Sequence, residues 1–280
     1  MTPAGKSPVE KRILNDSFWI SRFLQGKDLS IELAKSIAKL KGSAYDAERA
    51  TFDYSGARRS QEFREYELVA RALNKYPLAA VDAREKKLAY WINIYNALVV
   101  HGIVSLGVAR SVKDVSGFFE TAAYQIDGHV FSLDDIEHGI LRCNSAKYLS
   151  PFKPFAKGDP RQKFAMERID QRIHFALICG TRSCPPFAVY RPETIDDQLD
   201  VATATVLNDE VTIEHGTKTL RVSKIFQWYK KDFGDRQDIV RFVARHLREA
   251  GDQIFLIDNI ERVALAYLDF DWSLNQSGAA

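Results

Sequence analysis

Residues 82–104 read DAREKKLAYWINIYNALVVHGIV. An aspartate suited to capping a helix N-terminus opens the stretch, and after Leu88 apolar side chains occupy nearly every face of a helical wheel. A helix that is apolar all round is buried on several sides, so the remainder of the chain must wrap it. Asn93 and Asn96 share one face of this helix. Buried amides must be hydrogen-bonded, so the pair either ties neighbouring loops together or lines a polar, substrate-binding pocket.

Toward the N-terminus, apolar residues recur at helical spacing: Val9, Ile13, Leu14, Phe18, Ile20 and Phe23, then Ile31, Leu33, Ile37 and Leu40, then Phe63, Tyr66, Leu68, Val69 and Leu73. These predict a helical extension over residues 1–81 packed on a core domain of residues 82–275. Lys41–Ser60, with Gly42 and Gly56, reads as a long connection.

Toward the C-terminus, Tyr124–Ile126 and His129–Phe131 flank Asp127-Gly128, a pair suited to the turn that matches strand twist, and so predict a hairpin. Ser132 stands three residues before Asp135, as in a capping box, and starts the helix SLDDIEHGILR. Helical spacing puts Asp134 and His138 on one face and Glu137 on another. Lys147–Arg161 reads as loop. Ile173–Ile178 reads as a buried strand, followed by the turn-rich Cys179–Pro186. A helix over Arg191–Asn208 precedes a second hairpin, Val211–Ile213 with Leu220–Val222, and helices close the chain. The fold class is α+β, mostly helical with short antiparallel hairpins.

The chain has 280 residues, 46% hydrophobic and 27% charged, enough apolar content for a packed core. Thirty-nine basic against 37 acidic residues give a net charge of +2, which gives no electrostatic footprint for nucleic acid or an anionic membrane. The apolar run Ala97–Val108, interrupted by His101, is shorter than the ~18 residues of a membrane span. Three cysteines and an N-terminus without an apolar signal segment indicate a reducing, cytoplasmic compartment. Gly5-Lys6-Ser7 imitates the end of a phosphate loop but lacks the preceding glycine. With no dinucleotide-binding glycine triplet, esterase elbow, zinc helix or Cys-x-x-Cys, no cofactor is expected.

The chemistry-bearing residues concentrate in two segments. His174, Cys179 and Cys184 lie five apart, and Cys184 sits in a Ser-Cys-Pro-Pro turn beside Arg182 and Ser183. A thiol becomes nucleophilic when a base or a positive neighbour lowers its pKa. His138, oriented by Asp134, would serve as that base, with His174 as its competitor. Cys179, ending an apolar run, fits core packing as well as chemistry. The same His174, Cys179 and Cys184 are of zinc-ligand type but lack a fourth ligand, which the spacing assigns neither to Cys143 nor to His129, so no metal is expected. The Trp228–Lys231 patch reads as a solvated helix face.

The blocks KLAYWINIYNALVVHGIV, FSLDDIEHGILR, GDPR, RIHFALICGTRSCPPFAVY, VSKIFQWYKKDFG and DWSLN, in this order, resemble the domain of unknown function 547 family. The resemblance runs from about Asp82 to Asn275. Glu137 and His138 match the family's Ile-Glu-His block and Arg142 the arginine after it, which places His138 ahead of His174 as base. The resemblance implies, by analogy, a core related to papain-like thiol enzymes. Members also occur beside signalling or glutaredoxin modules, which implies an interaction role. Two functions are therefore expected. One is a cysteine-dependent hydrolase or acyltransferase, with Cys184 as nucleophile and loop donors near Arg182 holding the oxyanion, acting on an amide or thioester of a small molecule or peptide. The other is a non-catalytic module that binds a protein partner.

Overall fold

The computed structural model describes residues 9–16, 24 and 29–277. At its centre is α4 (Arg84–Leu106), the helix expected from residues 82–104, with every residue from Leu88 to Val104 buried. Its N-cap is Ala83 rather than Asp82, whose carboxylate instead accepts from the Ala83 N–H at 2.8 Å. Gly107, in the left-handed region at φ 67°, ends it. By length and composition α4 would cross a bilayer, yet 94% of its apolar window is buried within the protein.

The N-terminal residues join the same core. Helices α1 (Leu29–Ala44), α2 (Tyr54–Arg59) and α3 (Gln61–Ala72) bring Leu33, Ile37, Leu40, Phe63 and Tyr66 into one apolar cluster with α4. Ile13, expected in a helix, lies instead in β1 (Arg12–Ile13), which pairs parallel with β4 (Ala122–Ile126). Phe18, Ile20 and Phe23 fall outside the described residues. The expected connection after Lys41 is also structured, because Tyr45 and Phe52 pair across β2 (Tyr45–Asp46) and β3 (Thr51–Phe52) and the Asp53 side chain caps α2.

After the short α5 (Phe118–Thr121), β4 and β5 (His129–Ser132) form the expected hairpin, with Tyr124 opposite Phe131. Asp127 and Gly128 hold the turn at φ 49° and 75°. The second hairpin, β6 (Thr212–Glu214) with β7 (Thr219–Val222), gains a third strand when β8 (Ala264–Tyr267) pairs parallel to β7. This sheet, the end of α6 (Ile195–Glu210), α7 (Arg236–His246) and α8 (Ala250–Asp258) enclose a second apolar cluster around Phe226, Phe233 and Val243. The architecture is α+β, with small sheets flanked by helices.

Ile173–Ile178 is fully buried but is not a strand. A 3₁₀ turn occupies Gln171–Phe175, and the groups beyond it are satisfied by a side chain. Asn96 donates to the Ala176 carbonyl at 2.9 Å and accepts from the Ile178 N–H at 3.0 Å. A helix amide thus replaces the neighbouring strand that the apolar run alone suggested.

Candidate active site

Ser132 and Asp135 form the expected reciprocal cap, with Ser132 N donating to Asp135 Oδ2 at 2.9 Å and Asp135 N to Ser132 Oγ at 3.2 Å. The helix they start is a π-helix, Asp135–Leu141, rather than the expected α-helix. Arg142 N donates to the Glu137 carbonyl five residues back, at 2.8 Å. Wide turns of this kind occur frequently at functional sites. Here the turn corrects the expected placement of Glu137, whose Oε1 lies 3.7 Å from His138 Nδ1 instead of on a separate face.

Both residues enter a cavity of about 190 Å³, whose lining includes Tyr95, Asp134, His174, Cys179 and Tyr229. Glu137 accepts from the Tyr229 hydroxyl at 2.5 Å and from the Tyr95 hydroxyl at 3.0 Å. Burial favours its neutral form, but His138, the Tyr229 hydrogen bond and further positive neighbours outweigh it and hold the carboxyl below its ordinary range. Arg142 donates to His138 Nδ1 at 2.7 Å. Because Arg142 has no lone pair to offer, the neutral ring carries its proton on Nε2. That Nε2 stands 3.8 Å from Asp134, the residue expected to orient the ring. Asp134 is instead hydrogen-bonded by Lys147 at 2.7 Å, and burial raises its pKa.

The second histidine carries a tighter carboxylate contact. His174 Nε2 lies 2.9 Å from Asp232 Oδ2, and its ring stacks on Tyr229 with centroids 3.9 Å apart. Arg142 grips Asp232 with both Nε (2.5 Å) and Nη2 (2.8 Å). Burial opposes ionisation of Asp232, but the Arg142 and His174 hydrogen bonds prevail and bring its pKa to about 2. An ionised Asp232 fixes the His174 proton on Nε2 and leaves Nδ1 as the basic nitrogen, which has no hydrogen-bond partner among the described residues. Burial lowers the His174 pKa against the pull of Asp232, so the ring is neutral near pH 7.

Cys179 and Cys184 are joined as a disulfide, with Cα atoms 6.1 Å apart. Cys179 borders the cavity and Cys184 does not. Cys184 Sγ accepts the N–H groups of Cys179 at 2.8 Å and Thr181 at 3.4 Å. The third cysteine, Cys143, is half-buried and its pKa is raised by burial. With the two thiols joined to each other they are not a zinc pair, and among the described residues no group of three or more His, Cys, Asp or Glu is placed to hold a metal ion.

The remaining expected site residues do other work. Asn93 donates to the Tyr190 carbonyl at 2.8 Å and accepts from its N–H at 2.9 Å, so Asn93 and Asn96 both tie loops to α4. Arg182 is exposed, and its backbone N–H donates to the Ser273 carbonyl at 2.9 Å. Ser183 Oγ accepts from Asp271 N at 2.8 Å. These contacts dock the cysteine loop on a C-terminal strap whose Phe270 and Trp272, with Trp228, wall the cavity. No local sequence pattern marks Asp232, Tyr95 or Tyr229 for the site. Asp232 and Tyr229 stand in the VSKIFQWYKKDFG block, where Tyr229 read as part of a solvated face.

Residues 78–206 match the family described as "Protein of unknown function, DUF547". The match bears out the resemblance read from the sequence blocks and spans those that carry Asn93, His138, His174 and both disulfide cysteines. It ends before Tyr229 and Asp232. No curated protein and no solved structure matches the chain, so the papain-like analogy has no structural neighbour behind it.

Proposed function

From a chain whose central segment matches a family of no assigned activity, we propose a cysteine-dependent hydrolase or acyltransferase acting on an amide or thioester. The observation that carries the reading is that His174, hydrogen-bonded to Asp232, borders one cavity together with Cys179, the order of groups that thiol hydrolases use. Cys179, rather than Cys184, is the nucleophile in this reading, because it borders the cavity. The enzyme acts in its dithiol form, in keeping with a cytoplasmic location.

Cys179 Sγ attacks the acyl carbon while its proton passes to His174 Nδ1, and Asp232 stabilises the imidazolium that results. His138, with its proton on Nε2, donates to the developing oxyanion. His174 then returns its proton to the leaving amine or thiol. The acyl group leaves Cys179 for water or for an acceptor. The aromatic wall of Trp228, Phe270 and Trp272 suits an apolar acyl group.

The test uses the reduced full chain and an aryl thioester as acyl donor. Acylation should appear on Cys179 by mass mapping, and His174→Asn should slow it by ~10²-fold or more. An acyl group on another residue, or an unchanged rate in His174→Asn, refutes the reading. A protein-interaction module is favoured by a different observation, the exposed apolar tip formed by Tyr148, Leu149 and Phe152. Binding of a partner that is lost on Leu149→Ser and Phe152→Ser, with no acylation of Cys179, would support it.

A further inference from the structure

We infer that the Cys179–Cys184 pair is a thiol–disulfide exchange site that reacts with a small dithiol or monothiol entering the cavity. The inference goes beyond the acyl-transfer reading and does not depend on it.

The two sulfurs have unequal surroundings. Cys179 borders the cavity and Cys184 is absent from its lining, although both residues are half-buried. Cys184 Sγ already accepts the N–H groups of Cys179 and Thr181, whereas the Thr181 hydroxyl lies near both sulfurs, 3.1 Å from Cys179 Sγ and 3.3 Å from Cys184 Sγ, and does not distinguish them. Converging backbone N–H groups form an anion-binding concavity, so Cys184 is the sulfur suited to bear negative charge. In thiol–disulfide exchange the better-stabilised thiolate leaves faster. Attack at Cys179 and departure of Cys184 is therefore the favoured direction.

The loop that carries the pair is held from both sides. Asn275 N donates to the Gly180 carbonyl at 3.1 Å, and Arg182 N donates to Ser273 O at 2.9 Å on the strap. On the other side Asn96 holds Ile178 N at 3.0 Å. Gly180 sits at φ 74°, a conformation that glycine adopts without strain. These ties keep the two Cα atoms near their 6.1 Å separation when the bond is open, which favours reclosure over reaction with other thiols.

A thiolate of an external dithiol attacks Cys179 Sγ and forms a mixed disulfide as the Cys179–Cys184 bond breaks, and the electron pair stays on Cys184 as thiolate. The second thiol of the reductant loses its proton and attacks the reductant's own sulfur in the mixed disulfide. Cys179 leaves as thiolate and, like Cys184, takes up a proton. The protein gains two electrons and two protons, and the dithiol becomes a disulfide. Oxidation by a disulfide such as oxidised glutathione is the reverse.

The experiment reads sulfur chemistry alone, so its outcome is separate from that of the acylation test. The full chain is equilibrated with dithiothreitol buffers of graded ratio, quenched by alkylation and mapped by mass. Cys179 and Cys184 should change together while Cys143 stays reduced throughout. Limiting reduced glutathione added to the oxidised wild-type protein should then leave its adduct on Cys179 at least tenfold more often than on Cys184. Adducts on both in equal amount, an adduct mainly on Cys184, no exchange at all, or two thiols that never join each other would overturn the inference.

Discussion

Removing Asp232 should uncouple the site and cost more stability than any surface charge. Its side chain is 1% exposed and that of Arg142 2%, so Asp232→Ala strands a buried guanidinium. The acceptors left to it are His138 Nδ1 at 2.7 Å and the Ala146 carbonyl at 3.4 Å, neither of them charged. Breaking a buried pair from one side costs about 3–5 kcal/mol, and Arg142→Met should fall at the lower end of that range, because Asp232 keeps the His174 Nε2–H at 2.9 Å. Removing both charges, in Arg142→Met with Asp232→Leu, leaves neither member of the pair stranded, so the double variant should recover about 3 kcal/mol or more of the summed losses. In urea melts followed by circular dichroism, with a slope of about 3 kcal/mol per molar, each single variant should lower the midpoint by about 1 M or more. The pair also predicts an acid limb. With a folded pKa of about 2 against an ordinary 3.8, the Asp232 contribution is complete above pH 3.8 and is lost as pH falls through about 2, an effect of about 2 kcal/mol. That limb should vanish in the double variant. Single variants within about 1 kcal/mol of wild type, or a double variant equal to the sum of the singles, would refute the account of Arg142 and Asp232 as a mutually dependent pair.

Three further outcomes follow from the packing. Burial lowers the His101 pKa to about 4, and that of His174 also moves down, so stability should be complete above pH ~6.5 and fall by about 3 kcal/mol for His101 as pH descends to 4; His101→Gln should flatten most of that limb in a pH series of thermal melts. A Cβ at Gly139 would run into the Phe155 ring, so Gly139→Ala should lose about 1–3 kcal/mol by urea titration, and adding Phe155→Leu should restore part of it. Asn96→Ala should cost about 2–4 kcal/mol by leaving Ile178 N and Ala176 O unpaired, and faster hydrogen exchange at Ile178 would locate the damage.

What the sequence reveals follows what its local patterns encode. The all-round apolar character of residues 88–104 identifies the central helix, and the Asp127-Gly128 turn identifies its hairpin, because both signals lie within a few residues. The run Ile173–Ile178 reports burial correctly but not the hydrogen-bond partner, which belongs to a helix eighty residues earlier. The same limit governs the site. His174, Cys179 and Cys184 stand out by type, yet spacing alone does not tell which sulfur faces a cavity or that the two are bonded. Asp232 is 58 residues from His174 and has no local pattern to announce it. A turn of 3.6 residues puts Glu137 on a separate face from His138, and the turn that forms is wider.

That wide turn has a consequence for how the site would be lost. Glu137 and His138 converge because the backbone between Asp135 and Leu141 accommodates one residue more per turn than an α-helix would. The convergence therefore depends on the number of residues in the segment as much as on their identity. Shortening the segment by one residue would rewind it to the regular pitch and carry Glu137 away from Tyr95, Tyr229 and His138 together, while every side chain of the site remained in the chain. A scan by substitution would not detect this dependence, and a scan by single-residue deletion would.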